Sequence, residues 1–228
     1  ALAAADAAIR ESSKEQMLSA RKLRVYMLCE TGEGEKALEE CRSLVKEYNY
    51  GSDLREARLA LSRTYQTLGR HEESEAELER ILEIYADDAT VNNDLGYALA
   101  DRNKDLDRAE KLIRKAIDLD RKERASGTAL DVDAGEDNAA FVDSLGWVLF
   151  RRGKLEEART ELEKAARLKQ GEDPVIWDHL GDVYYRLKQT EKARESWAKA
   201  LKMYEMGVRT PTDPRAKDIR DKLRAVAP

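Results

Sequence analysis

VIWDHLGDVYYRLKQTEKARESWAKAL, residues 175–201, carries the pattern on which the fold turns. Leu180-Gly181 stands in its first half, Ala193 follows the Gly by 12 residues, and Ala200 follows by seven more. FVDSLGWVLFRRGKLEEARTELEKAA (141–166) repeats the frame with Leu145-Gly146, Ala158 and Ala165. VNNDLGYALADRNKDLDRAEKLIRKAI (91–117) repeats it again with Leu95-Gly96, Ala109 and Ala116. Gly in a helix interior costs roughly 1 kcal/mol relative to Ala, so three in register point to a packing need. Two antiparallel helices cross closely where both side chains are small, and the adjoining Leu95, Leu145 and Leu180 fill the space around the contact.

Moving upstream, REARLALSRTYQTLGRHEESEAELERIL (55–82) fits the frame with Leu61, Ser62, Tyr65 and Ser74. Ser62 lies 34 residues before Gly96. RKLRVYMLCETGEGEKALEECRSLV (21–45) reads as a degenerate copy ending on Ala37 and Cys41. ALAAADAAIR at the start lacks an initiator Met and begins inside a helical pattern, so a piece of a longer protein is expected, and a targeting signal could lie outside it. Gly96 and Gly146 are 50 residues apart, about 16 more than one period. Most of the excess lies in KERASGTALDVDAGEDN (122–138), acidic and turn-rich, which predicts a loop between repeats that separates a looser N-terminal part from a well-matched C-terminal part. After Gly207, Ile219, Leu223 and Val226 recur at helical spacing and predict a capping helix over 212–226.

This pattern resembles the tetratricopeptide repeat, Trp-x2-Leu-Gly-x2-Tyr followed by Ala-x3-Phe. The last copy fits best, with Trp177, Leu180, Gly181, Tyr184, Ala193, Trp197 and Ala200. The middle copy substitutes Val142, Leu149 and Leu162, and the earlier one has Asn92 at the aromatic position. The resemblance implies an all-α fold, an α-α superhelix of antiparallel hairpins, with repeats at about 17–51, 55–88, 89–122, 139–172 and 174–207 and a half repeat at 1–13. LGYALADR, DSLGWVLFRRG and DPVIWDHLGDVYYRL look like the C-terminal arrays of large bacterial members, some of them envelope lipoproteins that recruit proteases or assembly factors. Cytoplasmic and envelope locations both stay open.

Composition agrees with a helical array. Charged residues make 38% of the 228, aromatics 6%, prolines four, and the signs are interleaved along the helices. A net charge of −5 without a clustered basic face argues against nucleic acid as a partner. No run of about 18 apolar residues is present to span a membrane.

In the family the first helix of each repeat lines the concave side. That orientation would place Arg63 and Gln66, then Asn93 and Tyr97, in a groove. Asp143, Trp147, Phe150 and Arg151 would follow, and then Asp178, Asp182, Tyr185 and Arg186. Tyr97 and Trp147 each follow the packing Gly, and read equally as an aromatic binding shelf or as cover for neighbouring helices. Members that clamp a chaperone's C-terminal carboxylate do so with Lys and Asn; the Asp residues here imply instead a protein or peptide with basic residues and an apolar anchor.

Other chemistry has little support. Asp178, His179 and Asp182 share one turn, where a metal contact by His179 and Asp182 competes with a plain charged helix surface. DVDAGED (131–137) fails the calcium-loop spacing. GEGE (32–35) is a hairpin turn without the Lys of a phosphate loop. Cys29 and Cys41 share a hairpin and read as small buried hydrophobes, with a disulfide as the alternative. No nucleophile with an orienting base is identifiable, and no enzyme activity, metal or cofactor is expected. A protein-interaction scaffold is the first functional expectation. An assembly module packing on other domains of its own chain, or an enzyme's regulatory region, are the alternatives.

Overall fold

A computed structural model describes residues 2–126, 136–209 and 213–226, and the regular elements among them are helices. Residues 1–86 form one compact unit with α1 (Leu2–Glu11), α2 (Met17–Glu30), α3 (Gly34–Glu47), α4 (Gly51–Thr67) and α5 (His71–Leu82). Residues 87–228 form a second. It holds α6 (Ala89–Asp101), α7 (Leu106–Ala125), α8 (Ala139–Arg151), α9 (Leu155–Arg167), α10 (Pro174–Arg186), α11 (Thr190–Glu205) and α12 (Pro214–Ala225). Hairpins pair α2 with α3 and α4 with α5 in the first unit, and α6 with α7, α8 with α9 and α10 with α11 in the second. α12 packs on α11. The all-helical hairpin architecture is the one expected, and the boundary between the two compact units falls ahead of α6.

Helix starts are written into the chain. Asp88, Asp105, Asn138, Asp173 and Asp213 each accept a first-turn backbone N–H. Pro174 and Pro214 sit in the first turn, where a missing N–H costs nothing. Hairpin turns share one device. Two residues past the first helix the backbone enters the left-handed region at Gly32, Gly69, Asn103, Gly153 and Lys188. The next N–H then reaches back into the helix, as from Lys154 to Leu149 O at 3.0 Å and from Gln189 to Tyr184 O at 2.9 Å. Lys188, at φ 61°, adopts without glycine a conformation that costs an L-residue about 1–2 kcal/mol.

The close approach inferred for the hairpins is present. A Cβ on Gly96 would lie 2.9 Å from the Ala109 carbonyl oxygen and 2.7 Å from Ile113. On Gly146 it would lie 2.5 Å from Leu162, and on Gly181 it would run into the Trp197 indole. The first unit reaches the same crossing by a polar route. Buried Ser62 sets its hydroxyl 2.9 Å from the Ser74 hydroxyl and 3.1 Å from the Ser74 carbonyl oxygen, so its burial is compensated. Cys41 is buried there with Leu38, Leu44 and Leu61, 3.3 Å from the Thr64 hydroxyl. Burial pushes its thiol pKa up to about 11, and Cys29 and Cys41 are both free thiols. Inert packing is therefore the role of Cys41, while Cys29 is only partly buried and lines a cavity.

Part of the stretch expected as a loop at 122–138 is helix. Residues 122–125 are the last turn of α7, extended by helix-favouring Lys, Glu, Arg and Ala. Residues 127–135, with most of the DVDAGED stretch, lie outside the described residues. Asp137 accepts from Arg121 of α7 at 2.7 and 2.9 Å and from Lys164 of α9 at 2.5 Å. Hydrogen bonds from Arg121, outweighing burial, hold its carboxyl well below the usual range.

Lys188→Gly should raise stability by about 0.5–1 kcal/mol in urea unfolding, because strain is relieved at some entropic cost. Asp137→Asn should lower it by on the order of 1–2 kcal/mol at pH 7. A depressed carboxylate pKa stabilises above its unfolded value of about 4 and loses that contribution as the pH falls. The gap in Tm between wild type and Asp137→Asn should therefore close below about pH 4, as thermal scans would show.

Candidate functional site

Side chains three before and one, four and five after the packing Gly lie along one flank of each first helix. In the second unit those positions hold Asn93 and Tyr97 on α6, Asp143, Trp147, Phe150 and Arg151 on α8, and Asp178, Asp182, Tyr185 and Arg186 on α10. The structure brings most of these together. Arg63 and Gln66 are exposed on α4 in the first unit, where Arg63 lines a cavity of about 180 Å³ with Lys22, Tyr26, Glu56 and Leu59.

His179 is the hub of the second unit's face. Its ring is 2% exposed and stacks on the Trp147 indole with centroids 4.1 Å apart. The Tyr97 ring stands 6.2 Å away on the α6 side. Nδ1 lies 3.0 and 3.2 Å from the Asp143 carboxylate oxygens, and Nε2 lies 3.5 Å from the Arg215 guanidinium. A guanidinium only donates, so Nε2 is the acceptor and Nδ1–H donates to Asp143. Neither expectation for this residue survives. His179 does not meet Asp182, and it is no part of a charged surface, because α8 and α12 cover it. Among the described residues no group of three His, Cys, Asp or Glu could hold a metal.

α12 lies on this face. Arg215 donates to the Tyr97 hydroxyl at 2.7 Å. Lys222 lies 2.7 Å from Asp178 and 2.6 Å from Asp182, and the Trp197 indole N–H donates to Asp182 at 3.1 Å. Burial and the neighbouring Asp182 raise the Asp178 pKa. Burial pulls Lys222 the other way, but the two carboxylates outweigh it and keep the amine charged. Burial raises the Tyr97 phenol to about 12, so it stays protonated. Asp143 and Asp178 are buried and Asp182 half-buried, so the three acids expected to greet a basic partner are engaged by His179 and Lys222.

The Tyr97–Trp147 shelf is thus covered. Trp147 is 7% exposed, beneath His179 and Phe150. What stays open is a strip of Phe150, Arg151, Tyr185 and Arg186. Arg151 stands 5.6 Å from the Trp147 centroid and Arg186 5.6 Å from the Phe150 centroid. Tyr185 is 50% exposed. Two polar atoms of the face, Trp147 Nε1 and Asn93 Oδ1, are buried without a hydrogen-bond partner. Sequence reasoning missed Arg215, Lys222 and the hub role of His179. One signal was available: Asp213-Pro214 restates the Asp173-Pro174 start of α10, and Arg215 and Lys222 bracket Ile219 at helical spacing.

A stack of Gly-centred hairpins presenting first-helix side chains on one face defines a helical repeat protein of the interaction type. Tetratricopeptide repeat profiles match residues 59–124, 123–175 and 174–205, and the chain belongs to that family. Its repeats generally serve as protein-interaction scaffolds and are typically non-catalytic. The chain is 30% identical over 148 residues to TPR repeat-containing protein PA4667 of Pseudomonas aeruginosa. That match covers 65% of the chain and 22% of the relative, so the chain spans about a fifth of that protein's length. Among solved structures, the TPR protein TTC0263 of Thermus thermophilus aligns with a TM-score of 0.63 at 20% identity, over 92% of this chain and 98% of that one. BtubC from P. vanneervenii aligns at 0.65 and 19%, over 100% and 92%. These structural likenesses establish the fold. No described helix is long and apolar enough to cross a membrane.

His179→Leu should cost about 3 kcal/mol or more, because it leaves the buried Asp143 carboxylate without its donor. Urea unfolding followed by circular dichroism would measure it, and a change below about 1 kcal/mol would remove His179 from the centre of the face.

Proposed function

We propose that the chain is a non-enzymatic scaffold that binds a protein or peptide on the first-helix face of its second unit. The observation that supports this most is that the face seats a helix by side-chain contacts, Arg215 on Tyr97 and Lys222 on Asp178 and Asp182. The accessible strip of Phe150, Arg151, Tyr185 and Arg186 is rich in aromatic and Arg side chains, the types that dominate binding hot spots. A partner with basic residues and an apolar anchor matches the acids Asp178 and Asp182 where its cation takes the place of Lys222.

A second reading has the array packing against other domains of a longer bacterial protein, such as one of the envelope. The small share of PA4667 that the chain spans favours keeping it.

Tagged full chain, incubated with lysate of the source organism, should retain a protein that the Tyr185→Ala/Arg186→Ala variant loses by about tenfold or more by quantitative mass spectrometry. Both positions are exposed, so folding is preserved. An unchanged set of retained proteins would move the binding site elsewhere, and retention only of other segments of the same gene product would favour the second reading.

A further inference from the structure

We propose that α12 is an internal ligand of the first-helix face, and that the partner is an amphipathic helix taking its place. Such a helix carries two cations seven residues apart with an aliphatic side chain between them, as Arg215, Ile219 and Lys222 do. The proposal rests on the interaction reading above and names its partner's chemistry.

The acids demand such an occupant. Asp178 and Asp182 stand one turn apart on α10, a spacing at which like charges repel. A single ammonium, that of Lys222, touches both, and whatever covers this face must bring a cation to that point. At the other end the Tyr97 hydroxyl and His179 Nε2 both face the Arg215 guanidinium. Arg215 is a fixed cation: burial disfavours its charge, but the neighbouring Tyr97 and Asp101 leave its pKa raised.

α12 is not what holds the face together. The α10–α11 hairpin is closed at Gly181 against Trp197, a contact within the hairpin, although Lys222 of α12 also stands 5.7 Å from the Trp197 ring centroid. Only Ala216 and Ile219 of α12 are fully buried, while Lys217, Asp218, Arg220, Asp221 and Arg224 lie exposed. Its anchoring contacts to α6 and α10 run side chain to side chain, the kind a separate helix reproduces. Trp147 Nε1 and Asn93 Oδ1, a donor and an acceptor, remain buried and unpartnered on the same face with α12 in place.

The probe is a fluorescein-labelled, end-capped peptide of residues 213–226, DPRAKDIRDKLRAV, titrated into the full chain and followed by anisotropy. The Arg215→Glu/Lys222→Glu variant of the full chain releases α12 without touching the face. It should bind the peptide about tenfold or more tightly than wild type, the factor by which a site open one-tenth of the time weakens apparent affinity. A peptide carrying the same two changes should not bind. Equal affinity for both proteins, or no binding to a variant that keeps its helical circular dichroism, overturns the proposal.

Wild-type protein supplies the measurement that does not depend on the variant folding. Amide exchange across 215–226 should run about tenfold or more faster than in α10 and α11, and faster still with excess peptide. Exchange as slow as that of α10 and indifferent to peptide overturns the proposal. A partner lost with Tyr185→Ala/Arg186→Ala but insensitive to the peptide keeps the interaction reading and removes the internal ligand. Peptide binding to the variant with no partner lost does the reverse.

Discussion

Backbone meets side chain across a hairpin only where no Cβ intervenes, and that contact at Gly96, Gly146 and Gly181 orients everything else in the second unit. With the Gly turned toward the second helix, the helical period puts residues three before and one and four after it together on one flank of the first helix. A packing constraint thereby fixes which side chains are available to anything outside the hairpin. Ser62 obeys the same constraint in the first unit by hydrogen bonding, at 2.9 Å, to the Ser74 hydroxyl it must approach.

That constraint is why the hairpins were legible in the sequence. Gly181, Ala193 and Trp197 are local, periodic signals, and the crossing they specify lies within 20 or so residues of chain. The turns were legible too wherever glycine marks them, as at Gly153; Lys188 hides the same left-handed turn behind an ordinary residue type. The end of α7 was not legible, because 122–125 are good helix formers placed next to a turn-rich segment, and composition cannot say where one yields to the other.

The face was half legible. Its residue positions follow from the Gly register, but their state depends on partners far along the chain. Asp143 meets a histidine 36 residues away, Asp178 a lysine 44 away, and Tyr97 an arginine 118 away. None of those distances leaves a periodic mark. Counting Asp143, Asp178 and Asp182 as free acids therefore overstated the negative charge on offer. Trp147, placed by register on the exposed side, is instead roofed by an imidazole that single-helix reasoning put on the surface.

The charged contacts under α12 are better understood as choosing an occupant than as adding stability. Desolvating Lys222, Asp178 and Arg215 is costly, and a well-packed apolar contact of the same size would often hold a cap more firmly. A buried cation against paired carboxylates instead discriminates. A helix without the lysine leaves Asp178 and Asp182 facing each other, and one with an acid there adds a third negative charge. The same logic applies at Tyr97 and His179, where an apolar side chain would leave the imidazole Nε2 unpaired in a buried site. A helix that only shielded α11 from water would need neither device, and Ala216 and Ile219 already do that shielding.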